Sequence, residues 1–403
     1  AITALRSLVW SSQATGQETV ALFELNKTLQ EQSAHLNKIL NLLFTQAVVY
    51  LTAGKLPQVE LTARHVLRLT PHADYVLSQS YAHWALGIVY YEWNQLDTAI
   101  YHFSAVTANQ HHAHFWVVRD AICGMALAYQ AQGFETQARE TARALLELVQ
   151  EQNNMHELMV AYTFQAQLAL LQDEVEAAEQ WLELAGEQAV WGPMLFLEDE
   201  PITRARLLLA RGDEPSVAQG QALLTRLLQH AEALHSTRKT IQVLALQAWA
   251  YELQGRVAEA LAALERSLAL ARPGGFIRTF ADLPHVARVV QELRSRRKAQ
   301  RANDKNLEAY LQRLLVAMRA GPSQVGAEAG RMGHEGLEPL TGREWQILRL
   351  LDKELTNKEI ARELVVTPGT VKVHTNSIYR KLSVTNRRGA IALAKALGLL
   401  AVK

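Results

Sequence analysis

The sequence predicts an all-α protein: a solenoid of helical hairpins followed by a small four-helix domain. Three observations predict it. A turn marker returns near every fortieth residue through the first two thirds of the chain. A stretch with five glycines and a proline, residues 321–336, then breaks every helical period. Beyond it four helix starts crowd into a segment whose last acidic residue is Glu363.

The markers are Gly16, Gly54, Asn94, Gly133, Asp173, Gly212 and Gly255, at spacings of 38, 40, 39, 40, 39 and 43 residues. Gly, Asn and Asp end helices because they tolerate a left-handed backbone. Five residues after each marker stands a small or β-branched residue: Ala21, Val59, Ala99, Ala138, Ala178, Val217 and Ala260. That residue lets the second helix of a hairpin approach the first. Four residues before the marker stand Tyr50, Tyr90, Tyr129, Ala169, Leu208 and Tyr251, with Ser12 the exception. A lone hairpin cannot bury its apolar face, so neighbours must stack. "ALGIVYYEWNQLDTAIYHF" and "LQAWAYELQGRVAEALAALERSL" resemble tetratricopeptide units, with a period longer than the usual ~34 residues. A tetratricopeptide-like solenoid, with a sensing or interaction role, is therefore expected over residues 1–272.

After Pro273–Gly275 the repeat stops. "FIRTFADLPHVARVVQELRSRRKAQ" and "NLEAYLQRLLVAMRA" predict two more helices, a helical extension over 273–320. The basic run Arg294–Arg301 reads as a solvated connection before it reads as a DNA contact. Residues 321–336 have the composition of a flexible linker, which sets a domain boundary and leaves 337–403 as a separate module.

In that module Thr341 with Glu344, and Thr356 with Glu359, form capping boxes. Thr367 before Pro368 is an N-cap with proline at the first helical position, and Asn386 caps a last helix. The helices then run over about 342–353, 357–363, 368–382 and 387–398. A short link joins the second to a longer, basic third, the DNA-binding helix–turn–helix pattern. At about 100° per residue, Val371, Thr375, Ile378 and Leu382 form one seam of the third helix. Gly369, Val373, Asn376 and Arg380 lie opposite, with Lys372 beside them. A valine between amide and basic side chains suits a major groove, against a thymine methyl and base-edge acceptors. Thr370, Ser377 and Lys381 follow one flank, where phosphates would lie.

Charge supports this division. Residues 337–403 hold twelve Lys/Arg and six Asp/Glu, a net +6, and the rest of the chain is −5. A polyanionic partner is expected for the basic module alone. The chain is 49% hydrophobic and 20% charged, the composition of a globular protein with a substantial core. It has no apolar run of about 18 residues, so no membrane span is expected. Cys123 is the single cysteine, which excludes an intrachain disulfide. The first residues lack a signal peptide's features and start inside a repeat, so a fragment of a longer, cytoplasmic protein is expected. His111 and His114 share a helical face, but no further ligand completes a metal set. Trp84, Tyr91 and Trp93 are candidates to line a ligand groove; most neighbouring aromatics read as packing between repeats. No hydrolase elbow, zinc-protease helix, dinucleotide fingerprint or G-x-x-x-x-G-K-[ST] loop occurs, so no catalytic residue is assigned and the chain is not expected to be an enzyme.

"LTGREWQILRLLDKELTNKEIARELVVTPGTVKVHTNSIYRKLSVTNRRGAI" resembles the LuxR-type DNA-binding domain. The shared pattern is L-T-x-R-E, N-K-E-I-A, T-V-K-x-H and I-x-x-K-L-x-V, followed by an arginine. The resemblance implies base reading by Lys372, Val373 and Asn376. It places Lys358, Thr370, His374 and Lys381 at the sugar–phosphate backbone, to which Thr367 and Arg380 are added as candidates. It implies dimerisation through the last helix, around Ala390, Ile391, Leu393, Ala394 and Leu397. Glu354 stands where that family often has glycine. Helical repeats before such a domain, with "GGFIRTFAD" after them, resemble the C-terminal part of the large ATP-dependent LuxR regulators, the MalT-like group. That implies an ATPase module upstream and no cofactor in this chain. The expected function is a transcriptional regulator that binds double-stranded DNA as a homodimer and senses a small inducer or a protein through its solenoid. RNA polymerase is a further expected partner. The alternative is a helical-repeat scaffold with a non-specific nucleic-acid-binding tail.

Overall fold

In a computed structural model the described residues are 36–71, 75–152, 154–186, 199–299, 304–319, 342–353, 355–363, 368–382, 384 and 386–396. The chain divides into two compact units, Ala1–Arg319 and Ala320–Lys403. Every regular element among the described residues is a helix. The first marker, Gly16, and the expected linker 321–336 lie outside them.

Six hairpins make up most of the described first unit: α1 (Leu36–Thr52) with α2 (Leu56–Leu69), α3 (Val76–Glu92) with α4 (Leu96–Thr107), and α5 (Phe115–Ala131) with α6 (Glu135–Glu151). They continue as α7 (Met155–Leu171) with α8 (Val175–Ala185), α9 (Glu200–Arg211) with α10 (Glu214–Ala233), and α11 (Thr237–Leu253) with α12 (Val257–Ala271). Helices α3, α5, α7 and α11 bury residues nearly all round, whereas α2, α6 and α8 bury one stripe. The first kind is sandwiched between neighbours, and the second keeps a polar face in water.

The six described markers all take the left-handed backbone, with φ from +59° to +81°. At five of them the next residue's N–H reaches the carbonyl four before the marker. The bonds are Lys55 to Tyr50 at 2.8 Å, Gln95 to Tyr90 at 2.8 Å, Phe134 to Tyr129 at 2.9 Å, Glu174 to Ala169 at 2.9 Å and Arg256 to Tyr251 at 2.9 Å. This is the Schellman closure, which satisfies carbonyls that a helix end leaves orphaned. The small residues after the markers, Val59, Ala99, Ala138, Ala178, Val217 and Ala260, are buried, as close helix crossings require.

Beyond α12 lie a 3-10 turn Arg272–Gly274, α13 (Arg278–Ala281), a second 3-10 turn Pro284–Val286, α14 (Ala287–Ala299) and α15 (Lys305–Arg319). The two expected helices are α14 and α15. The sequence did not predict where the segment before them goes. It runs back to the early hairpins: the Ile277 N–H donates to the Glu92 carbonyl at 2.8 Å, across 185 residues. Helices α1 and α11 also touch, so the row of hairpins curls round on itself. The basic run is tied to the unit's own acids. Arg294 and Lys298 pair with Glu308, Arg296 with Glu292 and Arg297 with Glu265; residues 300–303 lie outside the described residues.

Two local arrangements in the early hairpins have consequences. The ring of Phe103, fully buried, lies between the backbones of α3 and α5 at Gly87 and Gly124. A Cβ on either glycine would lie 2.4 Å from that ring. Nearby, His83 on α3 and His102 on α4 meet through their Nδ1 atoms at 2.9 Å. Only one of the two nitrogens can carry the shared proton. Burial, with His83 and Arg64 close by, takes the His102 pKa down to about 3, and burial lowers that of His83 as well.

Gly124→Ala is expected to destabilise the first unit by about 1–3 kcal/mol, the range for overpacking a filled core. Urea denaturation measures it, and Phe103→Leu in the same background should recover part of the loss. The histidine pair gives a pH dependence. Both folded-state pKa values lie below the free value of about 6.5, so protons bind the unfolded chain more readily. The stability is complete above about pH 6.5 and is lost as pH falls toward the folded value. The urea midpoint should fall below pH 6.5, and fall less steeply in His102→Gln.

Candidate functional site

The second unit holds α16 (Gly342–Asp352), α17 (Asn357–Glu363), α18 (Pro368–Lys381) and α19 (Arg387–Ala396). The caps that the sequence predicts at 356 and 386 are formed. Thr356 N–H and Oγ1–H both donate to Glu359 Oε2 at 2.7 Å, and the Glu359 N–H returns to Thr356 Oγ1 at 3.3 Å. The Gly389 N–H donates to Asn386 Oδ1 at 2.8 Å. Thr341, Glu354 and Thr367 lie outside the described residues. The core gathers Ile347, Leu348, Leu351, Ile360, Ala361, Val371, Ile378 and Leu382, and includes the predicted seam of α18.

With that seam inward, Lys372, Asn376 and Arg380 form an exposed strip at i, i+4 and i+8, because four residues return a helix to almost the same face. Lys358 on α17 is exposed and His374 is half-buried. The side chains of Val373 and Thr370 lie outside the described residues. The other flank of α18 differs from expectation. Glu344 of α16, only 3% exposed, accepts from Ser377 Oγ at 2.6 Å and from Lys381 Nζ at 2.8 Å. Lys381 is thus turned inward to a buried carboxylate rather than outward along the helix. The reason is electrostatic: a carboxylate in a small core needs a cation and a hydroxyl. The sequence showed Glu344 as a cap and gave no sign of this pairing.

Helix α19 also departs in part. Ala390 and Ala394 are fully buried in the unit's own core and cannot meet a second subunit. Small side chains sit there because α19 crosses the core closely. Ile391 and Leu393 are half-buried, and Leu397 lies outside the described residues. Arg387 at the start of α19 donates to the carbonyls of Leu351 at 2.5 Å and Leu355 at 2.7 Å. It closes the C-terminal end of α16, where carbonyls lack helical partners and a cation is favoured.

In the first unit, Trp84 is fully buried and lines no groove. Its Nε1–H donates to Asp120 Oδ2 at 3.2 Å, inside a buried set in which Arg119 bridges Asp120 at 2.9 Å and Glu157 at 2.6 Å. Tyr91 and Trp93 instead meet the chain's own later segment. Tyr91 Oη–H donates to Asp282 Oδ2 at 2.6 Å and Trp93 Nε1–H to the Gly274 carbonyl at 2.8 Å. Beside them Glu92, 2% exposed, accepts from the N–H of Thr279 at 3.1 Å and its hydroxyl at 2.9 Å, and pairs with Arg238 at 3.3 Å. Burial pushes its carboxyl pKa up, and Arg238 and Thr279 pull it back. The sequence marked Trp93 by its place next to a turn, but carried no signal for Glu92 or Arg238, whose partners lie well over a hundred residues away. Among the described residues no group of three or more metal-ligating side chains occurs, and no helix is long and apolar enough to cross a membrane.

Glu344→Ala leaves the largely buried Lys381 without its counter-charge. It is expected to destabilise the second unit by about 2–4 kcal/mol, close to the cost of breaking a buried pair from one side. Lys381→Met removes the charge as well as the pairing and should cost less. Amide exchange within α18 measures both.

Residues 4–296 match the family model of the MalT-like TPR region, and residues 338–394 match that of the bacterial regulatory proteins of the luxR family. Similar proteins include the HTH-type transcriptional regulator MalT of Yersinia pestis (strain Pestoides F), 32% identical over 211 residues, which are 49% of this chain and 22% of that protein. The regulator of the same name from Yersinia enterocolitica serotype O:8 / biotype 1B is 31% identical over 240 residues, 55% of this chain and 25% of that protein. The matched region thus spans about a quarter of the length of these curated relatives. With a family model covering most of its length, the chain belongs to the family of the MalT-like TPR region and carries, toward its C-terminal end, a domain of the luxR family of bacterial regulatory proteins.

Proposed function

We propose that the chain is a DNA-binding transcriptional regulator whose second unit reads duplex DNA through α18 and whose helical-repeat unit receives the signal. One observation carries this reading. The helix of a helix–turn–helix pair presents Lys372, Asn376 and Arg380 on one exposed strip, with its opposite face locked in a core. In a major groove Lys and Asn meet base-edge acceptors and donors, and Arg380, with Lys358 and His374, lies toward the phosphates. Lys381, held by Glu344, acts by fixing the angle of α18 against α16. Dimerisation on DNA uses the half-buried Ile391 and Leu393 rather than Ala390 and Ala394. The signal is a small inducer or a partner protein, and RNA polymerase is the target of the DNA-bound form.

Selection from a random duplex pool at about 150 mM salt, where phosphate-only binding is already weakened, tests the reading. A common motif is expected from the intact chain. Lys372→Ala should cost about 1–3 kcal/mol on that motif and relax preference at one base pair. Binding without any enriched motif, equally weakened on all sequences by Lys372→Ala, would replace the regulator with a scaffold carrying a non-specific tail.

A further inference from the structure

The row of hairpins holds a segment of its own chain in the way a receptor holds a peptide. Between the two 3-10 turns, residues 275–283 contain one turn of helix, Arg278–Ala281. Main-chain groups of the segment are met by groups almost two hundred residues earlier. Ile277 N–H donates to the Glu92 carbonyl, Thr279 N–H to the Glu92 carboxylate, and the Gly274 carbonyl accepts from Trp93. The Phe276 carbonyl accepts from Tyr310 Oη at 2.5 Å. The side chains of Phe276, Ile277 and Phe280 are at most 2% exposed. The Arg278 guanidinium stands 5.8 Å from the Tyr91 ring and donates to Asn94 Oδ1 at 3.3 Å. Backbones approach so closely at one end that a Cβ on Gly274 would lie 2.4 Å from the Gly54 carbonyl oxygen. The segment is thus held by main-chain hydrogen bonds and by buried side chains, the two kinds of contact on which peptide recognition draws.

We propose that the wall built from the α1–α2 turn, the α3–α4 turn and the start of α11 is a peptide-binding site. Its resident ligand is Gly274–Asp282, and the resident exchanges with a segment of the same chemistry from a partner protein. That chemistry is two adjacent apolar residues, then a basic residue, a threonine and an aromatic one, as in Phe276-Ile277-Arg278-Thr279-Phe280. Arg278, 7% exposed, pairs with Asp282 of the segment itself and reaches Asn94 of the wall, and its Nε has no protein hydrogen-bond partner. An unmet buried donor weakens a bound segment. The wall residues belong to hairpins whose two helices also pack on each other, α1 on α2, α3 on α4 and α11 on α12. Because α15, the last described helix of the first unit, packs against the segment's helical turn, exchange would uncover that face of α15. This deepens the signal-receiving role proposed above and rests on it only for that consequence; the binding is tested without DNA.

The test uses the intact chain and a labelled peptide of the sequence Arg272–Val286. A resident ligand lowers the apparent affinity for an incoming one by the fraction of molecules that are vacant. Ile277→Asp in the chain loosens the resident and leaves the wall unaltered. The variant should bind the peptide at least about tenfold more tightly than the unaltered chain does, and a peptide carrying the same substitution should not bind. Equal binding by both chains, or binding by neither folded chain, overturns the proposal. If Ile277→Asp does not fold, amide exchange of the unaltered chain decides. The Ile277 and Thr279 amides should exchange through local opening, at least about tenfold faster than the Leu246 amide in α11. Equal rates would make the segment a fixed part of the core and overturn the proposal.

Discussion

Glu92 ends a helix and is buried with its charge, a position that costs several kcal/mol unless the carboxylate is met on every side. Here it is met by a guanidinium from α11 and by the backbone and hydroxyl of Thr279, while its own carbonyl holds Ile277. Three parts of the chain that are remote in sequence thus converge on one residue. The curvature of the row brings them there. That curvature depends in turn on the same Schellman turn recurring at five of the markers, each with a small residue five positions on. A change in the pitch of any hairpin would move the partners of Glu92 away from it.

What could be read from the sequence follows from the range of the forces involved. Left-handed turn residues, caps, helix periods and small residues at crossings act over a few positions, and they were legible. The six described markers, the caps at Thr356 and Asn386 and the seam Val371, Thr375, Ile378 and Leu382 all lie where the pattern puts them. Pairings across tens or hundreds of residues left no trace in spacing. Trp84 looked like a groove aromatic and is core, because its indole N–H has the buried Asp120 to satisfy it. Ala390 and Ala394 looked like a dimer face and pack inward. A small apolar residue on a helix serves a close crossing within a domain or between domains equally well, so residue type alone does not decide.

Lys381 shows the same limit for charge. On a helical wheel it shares a flank with Thr370 and Ser377, and its surroundings in sequence contain no acid. The carboxylate that claims it comes from α16, 37 residues earlier. The exposed strip of α18 therefore rests on an ion pair set behind it, while Lys372, Asn376 and Arg380 remain at the surface. Arg387 closes the other end of α16 through two carbonyls. The presentation of the strip is fixed by polar contacts at both ends of one supporting helix, in addition to a core of ordinary aliphatic packing.

The return of residues 274–283 to the early hairpins also bears on how the chain folds. A linear repeat array has only neighbour contacts, so it nucleates anywhere and frays from its ends. This one has a long-range closure, which raises contact order and slows the last step of assembly. During synthesis the hairpins through α4, which ends at Thr107, emerge about 170 residues before the segment that completes their surface. Until then the wall around Gly54, Glu92 and Trp93 is uncovered, and the buried places of Phe276 and Phe280 are vacant. The nascent repeats thus pass through a stage with an apolar face open to whatever first meets it, and native closure ends that stage.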